Sequence, residues 1–342
     1  MIWAKLLPHL SVNGVPLHRE LAMRGTLLAT DADGHGLSVQ LVANPDHLAK
    51  VIRTLRIAIQ SPASNDQVQK AYQRCMFSWR SIQEDSESLA DLIADIALHT
   101  TDLSRIIEEL DKAILNLFSD FENLPKLAVT SVAHVGPRDE TEELVNLTPQ
   151  KNRFVALVNR STRFCGRLKV VSDDSALLRL GWKVPRRGHP DFAALAIAAR
   201  VIGGHYHSRL TRMFRTERGW SYSPWALLRA GPHHGLWQAS IRVPVQHLPK
   251  AVQGVRQLLN DYVADDVEHA TAVAHATAET YRLWSSGESA VSLLGYWQDL
   301  GIDPTNEKDR WLTALSAVTT DDTVNAVHKW LTNDPHIELI LT

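Results

Sequence analysis

The sequence has little cysteine, almost no net charge, no long apolar run and no helical zinc signature. Its two cysteines, Cys75 and Cys165, stand alone without a C-x-x-C spacing. That argues against a disulfide framework or a cysteine-based metal site, and it suits a reducing, cytoplasmic setting. The 36 Lys and Arg nearly balance the 38 Asp and Glu, leaving a formal charge of -2. This balance provides no general attraction to nucleic acid or to an anionic membrane. The longest apolar stretches fall well short of a membrane span. Neither H-x-x-E-H nor H-E-x-x-H occurs, although the chain has 16 histidines. The first residues, "MIWAKLLPHLSVNG", hold one lysine and an apolar run broken by Pro8 and His9. They read as a packed terminal segment rather than a signal peptide.

What is present is enough apolar material for ordinary globular domains. The 342 residues are 44% hydrophobic and 22% charged, enough for two domains with real cores. An internal repeat supports two. "HGLSVQLVANPDHLAKVIRTLR" from His35 is matched by "HGLWQASIRVPVQHLPKAVQGVR" from His234. Each runs from a His-Gly-Leu turn through an alternating strand into a helix at His-Leu-x-Lys, so His47 and Lys50 correspond to His247 and Lys250. An Arg-Gly pair precedes the strand in both copies, in "MRGTLLAT" and "ERGWSYSPWALL". Four features in the same order indicate a duplicated domain.

In the first half, a strand pair over about 26–44 leads into helical patterns from His47, from Ser64, from Ser86 and from Thr101, with Ser86 and Thr101 at N-cap positions. A strand, "KLAVTSVAHV", closes it before Gly136-Pro137. The second half opens on a hairpin-like pair, "GRLKVV" and "ALLRLGWKV". A long helix follows, "PDFAALAIAARVIGG", whose glycine pair suits a C-cap. The helix "SRLTRMFRTER" stops at Gly219; a strand pair over 220–244, more helices and a last strand, "HIELILT", complete it. The expected fold class is α+β, with two homologous sandwich domains, each an antiparallel-rich sheet with helices on one face. The boundaries expected are 1–137, an acidic linker at 138–152, and 153–342. Only about 17 residues precede His18, so the first domain is expected to be truncated at its N-terminus, without opening strands or an opening helix.

The second half resembles the C-terminal domain of the pitrilysin/insulinase family of zinc metallopeptidases. The residues that carry the resemblance are the Leu-Gly strand, the Pro-Asp helix start, Ile202-Gly203-Gly204, Ser208-Arg209-Leu210, and Arg215 followed by Gly219-x-x-Tyr222. "LSAVTTDDTVNAVHKWL" resembles the family's last helix with its Thr-x-Asp cap. The likeness covers about 178–342 closely and about 18–137 more loosely. In that family one domain holds zinc through H-x-x-E-H and a distant glutamate, and another supplies an Arg and a Tyr to the substrate. By position Arg215 and Tyr222, seven residues apart, match that pair.

The residue types fit such a role. Negative charge develops on the peptide carbonyl oxygen during attack, and a tyrosine hydroxyl aimed there stabilises the transition state above the ground state. An arginine can hold substrate carbonyls in register. Gly219 would let a helix residue and a strand residue face one cavity. Taken without the resemblance, Arg215 is a solvated cation at a helix end and Tyr222 a half-buried strand residue.

The chain itself offers no zinc site. His205 and His207 flank Tyr206 but lack a third ligand and read as surface or helix-start residues. His233-His234 reads as an exposed hairpin turn. His269 and His275 are six apart, poorly spaced for one helix face. Glu84 and Glu87 lie where the family's distant glutamate would be sought, but without the two histidines they receive no metal role. The resemblance therefore implies a non-catalytic subunit of a bacterial heterodimeric peptidase for short or unstructured peptides. Arg215, Tyr222 and Gly219 would serve a homologous partner that carries H-x-x-E-H and the zinc, this chain binding no cofactor. The competing expectations are a structural or assembly subunit, and a peptide-binding protein without a catalytic partner.

Overall fold

The computed structural model describes residues 2–32, 37–99, 133–135, 164–168 and 174–342. In chain order the first elements are α1 (Ile2–Leu6), β1 (Ser11–Val12), β2 (Val15–Pro16), α2 (Leu17–Ala22), β3 (Leu27–Ala32) and β4 (Leu37–Val42). The helices α3 (Leu48–Gln60), α4 (Asn65–Glu84) and α5 (Ser86–His99) follow. After β5 (Phe164–Leu168) and β6 (Ser175–Val184) come α6 (Pro190–Gly203), β7 (Trp225–Ala230) and β8 (Gly235–Pro244). The chain ends with α7 (Leu248–Asn260), α8 (Asp266–Trp284), α9 (Gly287–Asp299), α10 (Glu307–Ala317), α11 (Thr320–Trp330) and β9 (Ile337–Leu341). The helix expected from Thr101, most of the strand "KLAVTSVAHV" and the linker 138–152 lie outside the described residues.

The contacts group the chain into two units, each drawn from separate stretches. One contains the residues up to Ser81 together with Trp284–Asp299; the other contains 82–99, β5, 174–283 and 300–342. So α5, which precedes the expected linker, belongs to the second unit, and α9 belongs to the first.

In the first unit β3 and β4 pair antiparallel, Leu27 opposite Val42 through Ala32 opposite Leu37. The short opening segment packs tightly: Leu6, Leu7, Leu10 and Leu17 are fully buried with Val51 and Ala58 of α3. Where the second unit has long strands and a long helix, this one opens with α1 and a two-residue hairpin. The hairpin turns at Asn13 and Gly14, both at positive φ, the backbone that an Asn-Gly pair adopts most readily. From α9, the backbone carbonyl of Glu288 and the hydroxyl of Ser292 accept from the amide of Gln40.

The second unit is a five-stranded sheet in the order β5-β9-β6-β8-β7. It is antiparallel except for β5, which runs parallel to β9. This corrects the hairpin expected between "GRLKVV" and "ALLRLGWKV": β9 lies between them and takes the hydrogen bonds of β6 on that side. A final strand, five residues long and mostly buried, fits the gap, and no local signal distinguishes such a distant partner from a nearby one.

Alternation along β6 and β8 sorts the two faces. Leu178, Leu180 and Trp182, with Trp237, Ala239 and Ile241, join α6, α7 and α11 in one core. On α7 the buried positions Leu248, Ala251, Val255, Leu258 and Leu259 follow helical spacing. Thr319 and Asp322 form a complete capping box at the start of α11. The other face carries Arg179, Gln238 and Ser240, all nearly fully buried, and α5 lies against it. The cap of α5 is Asp85, whose carboxylate accepts from the amides of Glu87 and Ser88. Ser86, expected as the cap, instead accepts from Arg242.

The repeat seen in the sequence has a structural counterpart. Each unit has an antiparallel strand pair, a 3-10 turn ending at His47 or His247, and a helix of 13 residues.

Candidate functional site

The segment after α6 is built from tight local turns. Gly203 sits against β7, and a Cβ there would lie 2.6 Å from the carbonyl carbon of Trp225. Gly204 caps the helix in the right-handed region at φ -86°. The glycine pair thus permits close packing rather than the left-handed cap its sequence suggests. A turn follows, with the Ser208 amide donating to the His205 carbonyl at 3.0 Å. Arg209 then clamps Glu268 at 2.6 Å and 2.8 Å and lies over Tyr262. Burial pushes the Tyr262 phenol up to about 12.

Thr211–Glu217 winds as a π-helix, a geometry found disproportionately at functional positions. Its end is fixed by the Phe214 carbonyl, which accepts from the amides of both Trp220 and Ser221 at 2.8 Å and 3.1 Å. Phe214 itself is fully buried. Gly219 turns the chain at φ +63°, a value glycine adopts without steric cost. Trp220 then stacks on His247, with ring centroids 4.3 Å apart and planes 8° from parallel. The turn is held on both sides, and Arg215 and Tyr222 project from it.

The structure brings those two side chains together. The Arg215 guanidinium lies over the Tyr222 ring, 4.4 Å from its centroid. Tyr222 is 77% exposed, so it contributes little to any core. It stands in a bend, with the strand starting only at Trp225. The expectation of a half-buried strand residue is therefore corrected: Ser221 to Pro224 form a loop that lifts the ring from the sheet. Tyr206, which the sequence reading passed over between His205 and His207, also approaches the Arg215 guanidinium, at 4.8 Å. Its position depends on the turn at 204–208, which residue spacing does not encode. Among the described residues no carboxylate pairs with Arg215, whereas Arg179, Arg209, Arg229 and Arg256 each do.

The histidines fall elsewhere. His205 accepts from the His207 amide at 3.2 Å, and its ring meets His275 at 5.3 Å. Burial, then the neighbouring His275, holds its pKa below the usual value. With Nδ1 taken by a backbone amide, this ring offers a metal only Nε2. His269 contacts the Val318 carbonyl and the Thr323 hydroxyl. His234 is not the exposed turn residue expected: its Nε2 meets the Ala97 carbonyl at 3.0 Å, and burial lowers its pKa to about 4. Glu87 pairs with Arg179 at 2.8 Å. Among the described residues no three His, Cys, Asp or Glu side chains gather as a metal site, and these contacts do not fit a zinc ion. No helix among them is long and apolar enough to cross a membrane.

Residues 107–273, a little under half of the chain, match the family model described as the peptidase M16 inactive domain. That stretch includes Arg215, Gly219 and Tyr222. No curated protein matches the sequence significantly. Among solved structures, the peptidase M16 inactive domain from Pseudomonas fluorescens is 15% identical with a TM-score of 0.74, over 100% of this chain and 87% of that one. A protease from Helicobacter pylori is 13% identical with a TM-score of 0.72, over 99% and 89%. A chain of complex III2 from Candida albicans is 12% identical with a TM-score of 0.66, over 99% and 84%. The structural likenesses show the shared fold.

Proposed function

We propose that this chain is a non-catalytic M16-family subunit that lends Arg215 and Tyr222 to a homologous partner carrying H-x-x-E-H. The observation that carries this reading is the Arg215–Tyr222 pair itself. A cation without a carboxylate partner among the described residues lies over a tyrosine that is 77% exposed, on a turn anchored from both sides. Neither side chain is needed where it stands for packing or charge balance, and both offer donors to an incoming peptide. The partner's zinc would supply the activated water. On this chain, the Tyr222 hydroxyl donates to the carbonyl oxygen as it gains charge, and the Arg215 guanidinium holds neighbouring carbonyls in register. Short or unstructured peptides are the substrate class, because they can extend along such a site.

The test is reconstitution. The isolated chain is expected to cleave no peptide and to bind no stoichiometric zinc. Mixed with the H-x-x-E-H chain it is expected to support cleavage of a quenched fluorescent peptide. Tyr222→Phe should then lower kcat by about 10²–10³-fold, and Arg215→Ala should mainly raise KM. Cleavage by this chain alone, or wild-type kinetics in both variant complexes, would overturn the reading. The fold shared with a chain of complex III2 favours an assembly role as the second reading, in which complex formation persists and both variants are silent.

A further inference from the structure

We infer that Tyr206 is a positioning residue for Arg215, presenting its guanidinium to peptide between two tyrosine rings. The inference rests on the reading of Arg215 and Tyr222 as a substrate-contacting pair. Two rings lie within reach of one guanidinium carbon, Tyr206 at 4.8 Å and Tyr222 at 4.4 Å. Both are mostly exposed, at 64% and 77%, so neither is there to fill a core.

The contrast with the neighbouring arginines explains what such an arrangement does. Arg209 spends its donors on Glu268 and on the Val263 carbonyl. A carboxylate fixes an arginine but occupies the N–H groups that would read a ligand. An aromatic face attracts the same charge through its quadrupole and leaves the in-plane N–H donors open. Arg215 is held in this second way, restrained but unspent. Restraint matters because a free arginine loses substantial rotamer entropy when it binds.

Tyr206 can act as a fixed wall because its turn is stapled. The Ser208 amide donates to the His205 carbonyl at 3.0 Å, and the His207 amide donates to His205 Nδ1 at 3.2 Å. The His207 ring meets Tyr206 edge-on at 5.2 Å. Tyr222, by contrast, has its hydroxyl committed to chemistry under the proposed function, so the two rings divide positioning from catalysis.

Two measurements test this. In the isolated chain, the Nε–H resonance of Arg215 should be shifted upfield by ring currents, and Tyr206→Ala should move it towards its ordinary position while the melting temperature stays unchanged. In the complex with the H-x-x-E-H chain, using a quenched fluorescent peptide, Tyr206→Ala should raise KM about three- to tenfold with kcat nearly intact. Tyr206→Phe keeps the ring face and should restore the wild-type KM. Adding Tyr206→Ala to Arg215→Ala should change nothing further. An unmoved resonance, a Tyr206→Phe variant as impaired as Tyr206→Ala, or losses that multiply in the double variant would each overturn the inference. An unchanged KM in Arg215→Ala alone would instead bring down the reading beneath it, and this role with it.

Discussion

Exposure separates the two tyrosines beside Arg215 from a third that is buried. Tyr262 lies buried under Arg209, and its phenol is held near 12, whereas Tyr206 and Tyr222 stand in solvent beside Arg215. Histidines divide in a similar way. The carbonyl of Ala97 can only accept, so the contact with His234 Nε2 requires a proton on that nitrogen, and burial keeps the ring neutral despite this contact. Its folded pKa of about 4 lies below the unfolded value near 6.5. The unfolded chain therefore takes up this proton first as the pH falls. Stability from His234 is complete above about pH 6.5, declines towards pH 4, and levels off below. The expected loss across that window is roughly 2 kcal/mol after allowing for partial exposure. His234→Gln should flatten this limb in urea unfolding followed from pH 7 to pH 4.5. The depressed carboxylates Asp85 and Asp322 act at lower pH, because their ordinary range already lies below the window. His9 and His205 shift in the same direction as His234, so the comparison with the variant isolates the contribution. An identical acid limb in both proteins would show that His234 is free to protonate in the fold.

At the scale of elements, contact between α6 and β7 sets where the candidate site begins. Gly203→Ala would put a methyl into the Trp225–Ala226 backbone, which cannot swing aside as a side chain can. A loss of about 2–4 kcal/mol is expected, in the range of overpacked cores, measured as a lower urea midpoint. Gly219→Ala meets no atom within 4 Å, and its cost should be only about 1 kcal/mol, from positive φ alone. Equal losses would refute the distinction drawn between these glycines. The two cases also show what a sequence discloses. Helices α3, α4, α5 and α7 were legible from their spacing because their buried faces recur every three or four residues; α6 was legible instead from its Pro-Asp start and its long apolar run. The capping box of α11 and the turn at Gly219 were legible because their chemistry is local. The place of β9 between β5 and β6 was not, since strand partners are chosen by burial across the whole sheet. Tyr206 escaped notice for the same reason: two residues nine positions apart meet only after the turn at 204–208 has formed.

At the scale of the whole molecule, α5 is fastened by charge to a sheet it precedes by many residues. Glu87, Asp91 and Asp95 recur at four-residue spacing along one helix face. They meet Arg179 on β6 and Arg229 on β7, with Arg242 of β8 near Glu87. Arg179 is 2% exposed, and its two carboxylates are 43% and 62% exposed. Removing the carboxylates strands a buried cation, while removing the cation leaves carboxylates that water can reach. Glu87→Gln with Asp91→Asn should therefore cost about 3–5 kcal/mol, and Arg179→Met distinctly less, by urea unfolding. The opposite order would mean that Arg179 is solvated by other means. The helix α9 makes the reciprocal excursion, from late in the chain into the first unit. This has a consequence during synthesis. The first unit cannot recruit α9 until translation has passed Asp299, and domains otherwise fold as they leave the ribosome. The nascent chain must therefore hold its first unit incomplete while the strands of the second unit are being made.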